Sequence, residues 1–256
     1  MICLFQGLHN ERRIGDLTLE EYLSVGFQAD GLEIQSPLVR KANDGSICKW
    51  IVNVQDRLCT LKDAFENVPL CVGFNIEVKF DDEIEVSEAE LQRVTGTVLK
   101  EVAMYGKGRK VFYSSFHPDA VDLLRKMQTE YPVLFLTEGG TYLYKDERKN
   151  SIESAVEVCL KCGLQGIVSE VEAILQNPGL VSKVKDAGLC LLTYGDLNNF
   201  VEVLHKQRET GVDGVIVDHV LEMVTAVRNA TISGSTLTSC DDIRYRDVSS
   251  ILKAAA

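Results

Sequence analysis

The fold is decided by residues 110–194, where four short apolar or β-branched runs recur: KVFYSSF (110–116), VLFLT (133–137), LQGIVS (164–169) and LCLLTY (189–194). Each run has the length and composition of a buried strand. Segments with helical periodicity separate the runs. This alternation is typical of βαβ units around a parallel sheet.

Two further runs on either side of this stretch extend the series to six predicted strands. They are CVGFNIEVKF (71–80) and DGVIVD (213–218). Amphipathic spacing and capping residues then predict six helices. These are expected at about Ser87–Tyr105, Pro118–Glu130, Ser151–Cys162, Gly179–Ala187, Asn199–Gly211 and Leu221–Asn229.

Two architectures accommodate this order, an open doubly wound sheet and a closed barrel. An open nucleotide-binding sheet would carry a glycine-rich turn, and the sequence contains neither GxGxxG nor a Walker loop. We therefore predict an α/β fold, a (β/α)8 TIM-type barrel. Before residue 58, Thr18–Val25 is a predicted short helix, Phe27–Asp56 is irregular, and only Ile51–Val54 has the pattern of a strand. The barrel is thus expected to be incomplete, missing its first two strands.

The barrel is predicted to occupy residues 1–228, followed by a polar, disordered tail at 229–256. Thirty-eight acidic residues against 27 basic ones give a net charge of −11, which argues against a nucleic-acid partner. No run approaches the roughly 18 apolar residues of a membrane helix. The first residues, MICLFQGLHNERR, are the reverse of a secretory signal, so a cytoplasmic protein is expected.

Eight cysteines are expected to be reduced in such a compartment. The one CxxC, Cys159 to Cys162, lies in a helical pattern and lacks a second pair that would complete a zinc cage. A plain helix is therefore favoured over a metal or redox site.

The segment GFNIEVKF (73–80) carries the chemistry. Its side-chain period of two puts Phe74, Ile76, Val78 and Phe80 on one face and Asn75, Glu77 and Lys79 on the other. In a barrel the apolar set would pack on helices, leaving Glu77 and Lys79 inward near the carboxyl-terminal end, where barrel enzymes have their active sites. Glu77 could ligate a hard divalent cation and Lys79 could neutralise a phosphate oxygen. The alternation fits a half-exposed strand with a solvated polar face equally well.

Seven segments, in this order, resemble the glycerophosphodiester phosphodiesterase family, nearest its eukaryotic subgroup of plant enzymes and glycerophosphocholine phosphodiesterases: GDLTLEEY (15–22), LCTLKDAF (58–65), GFNIEVKFDD (73–82), VFYSSFHPDA (111–120), LQGIVSE (164–170), LLTYG (191–195) and VDGVIVD (212–218). The resemblance implies a barrel hydrolase of lipid and glycerol metabolism. Such enzymes convert glycerophosphodiesters, for example glycerophosphocholine, to sn-glycerol 3-phosphate and an alcohol with Mg²⁺ or Ca²⁺. By resemblance, Glu77 matches the metal-binding glutamate and Lys79 the active-site lysine.

The sequence departs from the family upstream of GDLTLEEY, where His-Arg-Gly, Glu-x-Asp and His-Asp motifs are expected and none is present. Residues 29–35 (ADGLEIQ) mimic Glu-x-Asp with Gln35 for the aspartate, but they follow GDLTLEEY, so we interpret them as a coincidental match. His117 and His219 follow predicted strands and could reach the catalytic rim. We expect structural or surface roles for these two and for His9 and His205.

Because hard cations want about six oxygen ligands, Glu77 alone predicts weak or absent Mg²⁺ or Ca²⁺ binding and little or no turnover. An alternative is a non-catalytic barrel remnant, a binding or regulatory polypeptide that self-associates through exposed strand edges. A third reading, an unrelated phosphate-binding barrel, requires a glycine-rich loop near the last two strands, where only Gly195, Gly211 and Gly214 lie.

Overall fold

The computed structural model describes residues 2–5, 8–24, 38–41, 46–49, 58–80 and 85–234. These residues belong to two compact units, Met1–Pro69 and Leu70–Ala256. The tail predicted from residue 229 begins inside a helix and otherwise lies beyond the described residues. The extent of the barrel domain, 1–228, stays a prediction.

The first unit contains an antiparallel sheet that the sequence did not predict. Its strands are β1 (Ile2–Phe5), β2 (Leu8–Arg13), β3 (Leu38–Lys41) and β4 (Ile47–Lys49), in the order β2-β1-β3-β4. The prediction that Phe27–Asp56 is irregular is wrong at β3 and β4, and β2 was not predicted. These strands are short and mostly polar (LHNERR, LVRK, ICK), so they lack the apolar alternation that identifies a strand.

Two helices complete the described part of this unit. Helix α1 (Leu19–Ser24) confirms the helix predicted at Thr18–Val25. Helix α2 (Leu61–Asn67) begins at a capping box, in which Thr60 Oγ1 accepts from the Asp63 amide at 3.1 Å and Asp63 Oδ2 accepts from the Thr60 amide at 2.8 Å. The candidate strand Ile51–Val54 and the segment 29–35 lie outside the described residues.

The second unit confirms the predicted parallel sheet. Its six strands pair in the order β10-β9-β8-β7-β6-β5, every pair parallel. They are β5 (Phe74–Glu77), β6 (Val111–Ser115), β7 (Val133–Thr137), β8 (Gly166–Glu170), β9 (Cys190–Tyr194) and β10 (Gly214–Val215). The described strands of the first unit form a separate sheet, so the six parallel strands are those of an incomplete (β/α) barrel, as predicted.

Helices follow the parallel strands in the predicted order. They are α3 (Glu88–Tyr105), α4 (Pro118–Met127), α5 (Ile152–Cys162), α6 (Val171–Gln176), α7 (Gly179–Asp186), α8 (Val201–Thr210) and α9 (Val220–Gly234). The short α6 was not predicted, because VEAILQ directly continues the strand β8 and has under two turns. None of the helices in the described ranges is both long and apolar enough to cross a membrane.

The CxxC pair lies in the last turn of α5, as the helical interpretation requires. Cys159 is buried, and its Sγ lies 3.3 Å from the Gly166 carbonyl. Burial raises the pKa of the Cys159 thiol, so it stays protonated and packs as a small apolar group.

The parallel sheet has two faces of different character. On one face, Tyr113, Phe135, Ile167 and Leu191 are fully buried, as are helix residues such as Leu124. The opposite, inner face carries a separate buried cluster of strand residues: Leu134, Leu136, Val168, Cys190 and Leu192, with Phe112, Phe116 and Tyr194 packed against it. The inner face is therefore closed by side chains, as in a packed barrel interior.

Gly166 on the inner face tests this packing. A Cβ there would lie 2.9 Å from the Cβ of Cys190 and still closer to the Cys190 carbonyl oxygen. We expect Gly166→Ala to lower the free energy of unfolding by about 1–3 kcal/mol. Gly96→Ala is the matched control, because its nearest atom, Met127 Cε, is 3.7 Å away and alanine raises helix stability by about 0.5–1 kcal/mol. Urea denaturation measures both, and shifts of the same sign would contradict the assigned register.

Candidate active site

Glu77 and Lys79 lie at the carboxyl-terminal end of β5. The apolar neighbours Ile76 and Val78 are buried, at 9% and 3% exposure, which puts the alternate residues Asn75, Glu77 and Lys79 on the inner face. Glu77 pairs in register with Ser114 of β6. Below it, Ser114 Oγ donates to Asn75 Oδ1 at 2.8 Å. The strand therefore presents a polar edge toward the interior.

The two charged groups form an ion pair. Lys79 Nζ lies 3.4 Å from Glu77 Oε1, and the side chains are 76% and 30% exposed respectively. An exposed pair of this kind is worth little, about 0–1 kcal/mol, because water screens it. Lys79 can therefore leave Glu77 at small cost and bind another anion, such as a phosphate.

A second group of side chains occupies the inner face at the carboxyl-terminal ends of β6 to β9. We call Phe116, Glu138, Glu170 and Tyr194 the rim wall; all four are half-buried. Glu170 pairs in register with Tyr194, and the rings of Phe116 and Tyr194 meet edge to face at 6.1 Å and 89°. The Tyr194 hydroxyl donates to the Thr137 carbonyl at 3.4 Å.

The rim wall was not predicted, although its signal is in the sequence. Glu138 follows VLFLT directly, and Glu170 and Tyr194 end β8 and β9. Extending the period of two by one residue past each apolar run would have placed these side chains on the inner face.

Burial and neighbouring negative charges both raise pKa values in the rim wall. Burial, followed by the nearby Glu138 and Glu170 carboxylates, raises the pKa of Tyr194, so its hydroxyl remains a donor. Burial also raises the pKa of Glu170, with Glu172 and Glu138 adding to it. Hydrogen bonds from the Glu172 and Ala173 amides oppose that rise.

Comparison with known proteins decides the family. Residues 6–222 match the model of the glycerophosphoryl diester phosphodiesterase family. The chain belongs to this family. A chloroplastic glycerophosphodiester phosphodiesterase of Arabidopsis thaliana is 49% identical over 224 residues, covering 87% of this chain. A glycerophosphocholine phosphodiesterase of Candida albicans is 40% identical over 184 residues, covering 69%.

The relatives are longer than this chain. The match spans 62% of the Arabidopsis protein and 16% of the Candida protein. Among solved structures, a glycerophosphodiester phosphodiesterase from Parabacteroides distasonis superposes with a TM-score of 0.52 at 13% identity, covering 75% of this chain and 82% of that one. At this identity the likeness supports the fold alone.

The described residues provide only part of a site for the divalent metal ion that enzymes of this family use. Glu77, the predicted ligand, has one carboxylate, and this group pairs with the cationic Lys79 at 3.4 Å. Within the described ranges, no group of three or more His, Cys, Asp or Glu side chains is placed to hold a metal ion. Since Mg²⁺ and Ca²⁺ take at least about six oxygen ligands, the described residues do not fit the ion.

The histidines that were considered as acids or bases contact residues other than Glu77 and Lys79. His117 is the residue before α4, and its ring packs edge-on against Phe80 at 5.3 Å. Burial lowers the pKa of His117, which favours the neutral ring, and its buried Nδ1 has no hydrogen-bond partner within the described residues. His219 is exposed and lies 3.7 Å from Glu222. His205 lies within α8.

Replacing Glu170 tests the electrostatics of the rim wall. Because the folded pKa of Glu170 is raised, its favourable contribution is complete below the ordinary carboxyl range and is lost as pH rises through the raised value. We expect Glu170→Gln, which keeps an acceptor for the α6 amides, to gain stability relative to wild type as pH rises from about 4 to about 8.

Urea unfolding at the two pH values measures this effect, and Glu157→Gln, an exposed change of the same charge on α5, is the control. An equal pH dependence in both variants would show that the shift does not belong to the Glu170 position.

Proposed function

We propose that this chain is a metal-dependent phosphodiester hydrolase acting on glycerophosphodiesters such as glycerophosphocholine, giving sn-glycerol 3-phosphate and an alcohol. The observation that carries the proposal is the position of Glu77 and Lys79 on the inner face, at the carboxyl-terminal end of a strand in a chain of the glycerophosphodiesterase family. That end of a (β/α) barrel is where the chemistry of this architecture occurs.

Lys79 is proposed to bind the phosphodiester. Its ammonium is largely exposed and is held only by the weak pair with Glu77, so a non-bridging phosphate oxygen can take the place of the carboxylate. The charge of Lys79 then stabilises the negative charge that develops on phosphorus oxygens during hydrolysis. Glu77 orients the lysine before substrate binds.

Glu77 is proposed as one ligand of Mg²⁺ or Ca²⁺. Such an ion would supply Lewis-acid stabilisation of the phosphate. One carboxylate with a lysine 3.4 Å away should bind the ion weakly or not at all. We therefore propose that the chain by itself turns over slowly or not at all.

Turnover is tested directly with the purified chain. We expect glycerophosphocholine hydrolysis with Mg²⁺ or Ca²⁺ to remain within about tenfold of Glu77→Ala, because the described residues do not provide paired acid–base groups, which are worth about 10²–10⁴-fold. Release of sn-glycerol 3-phosphate is the measurement, and Glu157→Ala, an exposed change on α5, is the control. Rapid hydrolysis that is lost in Glu77→Ala but kept in Glu157→Ala would overturn the expectation of an inactive chain.

The alternative is a non-catalytic binding or regulatory polypeptide. It is favoured by one observation, that β5 and β10 are the edges of the described parallel sheet and leave backbone groups for a further strand. Exposed apolar side chains near the β10 edge, among them Ile216 and Leu221 at 40% and 83% exposure, add to this tendency.

Self-association separates the two readings. If the edges pair between copies, size-exclusion chromatography with light scattering should show a mass that rises with concentration. Ile216→Lys should shift the protein toward the monomer, since an edge lysine opposes pairing. Leu160→Lys, at an exposed position on α5 away from the edges, should not. A monomer at all concentrations would remove the basis for self-association.

We also propose that the protein binds a small molecule and not a nucleic acid, and that it is cytoplasmic. The acidic net charge supports the first. The chloroplastic name of the Arabidopsis relative supports an organellar location as the competing possibility.

A further inference from the structure

We propose that Ser115, the last residue of β6, and His117, which follows it closely, are positioning residues that hold Lys79 on the inner face, where it can bind the phosphodiester. We call these two residues the β6 clamp. The inference rests on the proposed function, because it adds two residues to the same site. Neither residue is assigned a contact with the substrate; both act through the backbone on either side of Lys79.

Lys79 needs such support because it lies beyond the regular pairing of the sheet. Strand β5 ends at Glu77, and its register with β6 ends at the pair of Glu77 and Ser114. One further backbone bond, from the Val78 amide to the Ser114 carbonyl at 2.8 Å, extends the pairing by a residue. The direction of the Lys79 side chain therefore depends on the contacts that hold Val78 before it and Phe80 after it.

Ser115 holds the residue before Lys79. Its Oγ donates to the Val78 carbonyl at 2.6 Å and accepts from the His117 amide at 3.2 Å. Ser115 is fully buried and Val78 is 3% exposed. A buried carbonyl that loses its donor is left without the hydration it gave up on folding, so this bond favours one orientation of the peptide group that joins Val78 to Lys79.

His117 holds the residue after Lys79. Its ring packs edge-on against the ring of Phe80, with centroids 5.3 Å apart and planes at 62°. Burial lowers the pKa of His117, so the ring is neutral at physiological pH and packs as an aromatic group. Burial still alternates here, with Val78 buried, Lys79 exposed and Phe80 half-buried. Since side chains alternate along an extended chain, fixing Phe80 against His117 leaves Lys79 on the opposite, inner side.

The clamp is anchored to helix α4. The His117 carbonyl accepts from the Ala120 amide at 3.0 Å, in the first turn of the helix. Asp119 of the same turn pairs with Arg148 through two bonds, of 2.6 and 3.1 Å. The backbone of His117 is therefore fixed, and Phe80 packs against a ring that is held in place.

The experiment measures binding of sn-glycerol 3-phosphate to the purified chain by NMR titration. We expect Ser115→Ala and His117→Ala each to weaken binding about three- to tenfold, because each removes one of the two contacts that orient Lys79. His117→Phe should bind within about twofold of the wild type, because it keeps an aromatic ring against Phe80. It also removes a buried Nδ1 that has no hydrogen-bond partner within the described residues.

Ser169→Ala on β8 is the matched control for Ser115→Ala. Ser169 is also fully buried, and its Oγ donates to a backbone carbonyl, that of Glu170, at 2.9 Å. It should bind the phosphate as the wild type does. Unchanged affinity in both clamp alanine variants, or an equal loss in Ser169→Ala, would overturn the inference. If Ser115→Ala does not fold, the His117 variants decide: weaker binding in alanine alone supports the clamp, and equal binding in alanine and phenylalanine overturns it.

Failure of the proposed function is distinguishable, because Lys79→Ala would then bind sn-glycerol 3-phosphate as tightly as the wild type. In that case the ligand-free protein decides the clamp. Because Lys79 Nζ lies 3.4 Å from Glu77 Oε1, a nuclear Overhauser effect between the two side chains reports that both are on the inner face. Its loss in His117→Ala and retention in His117→Phe would support the clamp, and its retention in both variants would overturn it.

Discussion

Backbone pairing between β5 and β6 is the interaction on which the inner face depends. The Phe74 amide donates to the Lys110 carbonyl at 2.9 Å and the Val78 amide to the Ser114 carbonyl at 2.8 Å. Ser115 Oγ adds a bond to the Val78 carbonyl at 2.6 Å. A slip of one residue would exchange the two faces, placing Glu77 among helix side chains and Ile76 in the interior. The cost of burying an unpaired carboxylate keeps the register unique.

The charge of the whole chain and the charge of the site act over different distances. The net charge of −11 gives a long-range field that repels anions. Within a Debye length of about 8 Å at physiological salt, however, individual side chains decide. Lys79 follows β5, whereas Glu138 follows β7 and Glu170 ends β8. The positive and negative side chains therefore lie at different positions along the carboxyl-terminal edge of the sheet. A neutral or singly charged ligand would not interact with both.

The parallel sheet could be predicted from sequence because its strands are buried on both faces. VLFLT and LCLLTY are continuous apolar runs, and the structure places strands at Val133–Thr137 and Cys190–Tyr194 within them. Glu77 and Lys79 could be placed because alternation in GFNIEVKF leaves one orientation for the apolar set. Their catalytic roles remain predictions.

The elements that could not be predicted depend on partners distant in sequence. Strands β1 to β4 are only three to six residues long, and β1 pairs with β3 across more than 30 residues of chain. No local pattern reports such pairing. For the rim wall, alternation along each strand indicates the inner face, but the contact between Phe116 and Tyr194 follows only once β6 and β9 are placed in one sheet.

The folding interactions at Glu170 restrict its side chain. The residue caps α6, lies against Gly195 and pairs across the sheet with Tyr194, so its side chain has little freedom left to lose. The amide donors of α6 also oppose protonation of the carboxylate, although burial favours it. A short helix that the sequence did not predict therefore helps to hold the Glu170 carboxylate in one position at the rim.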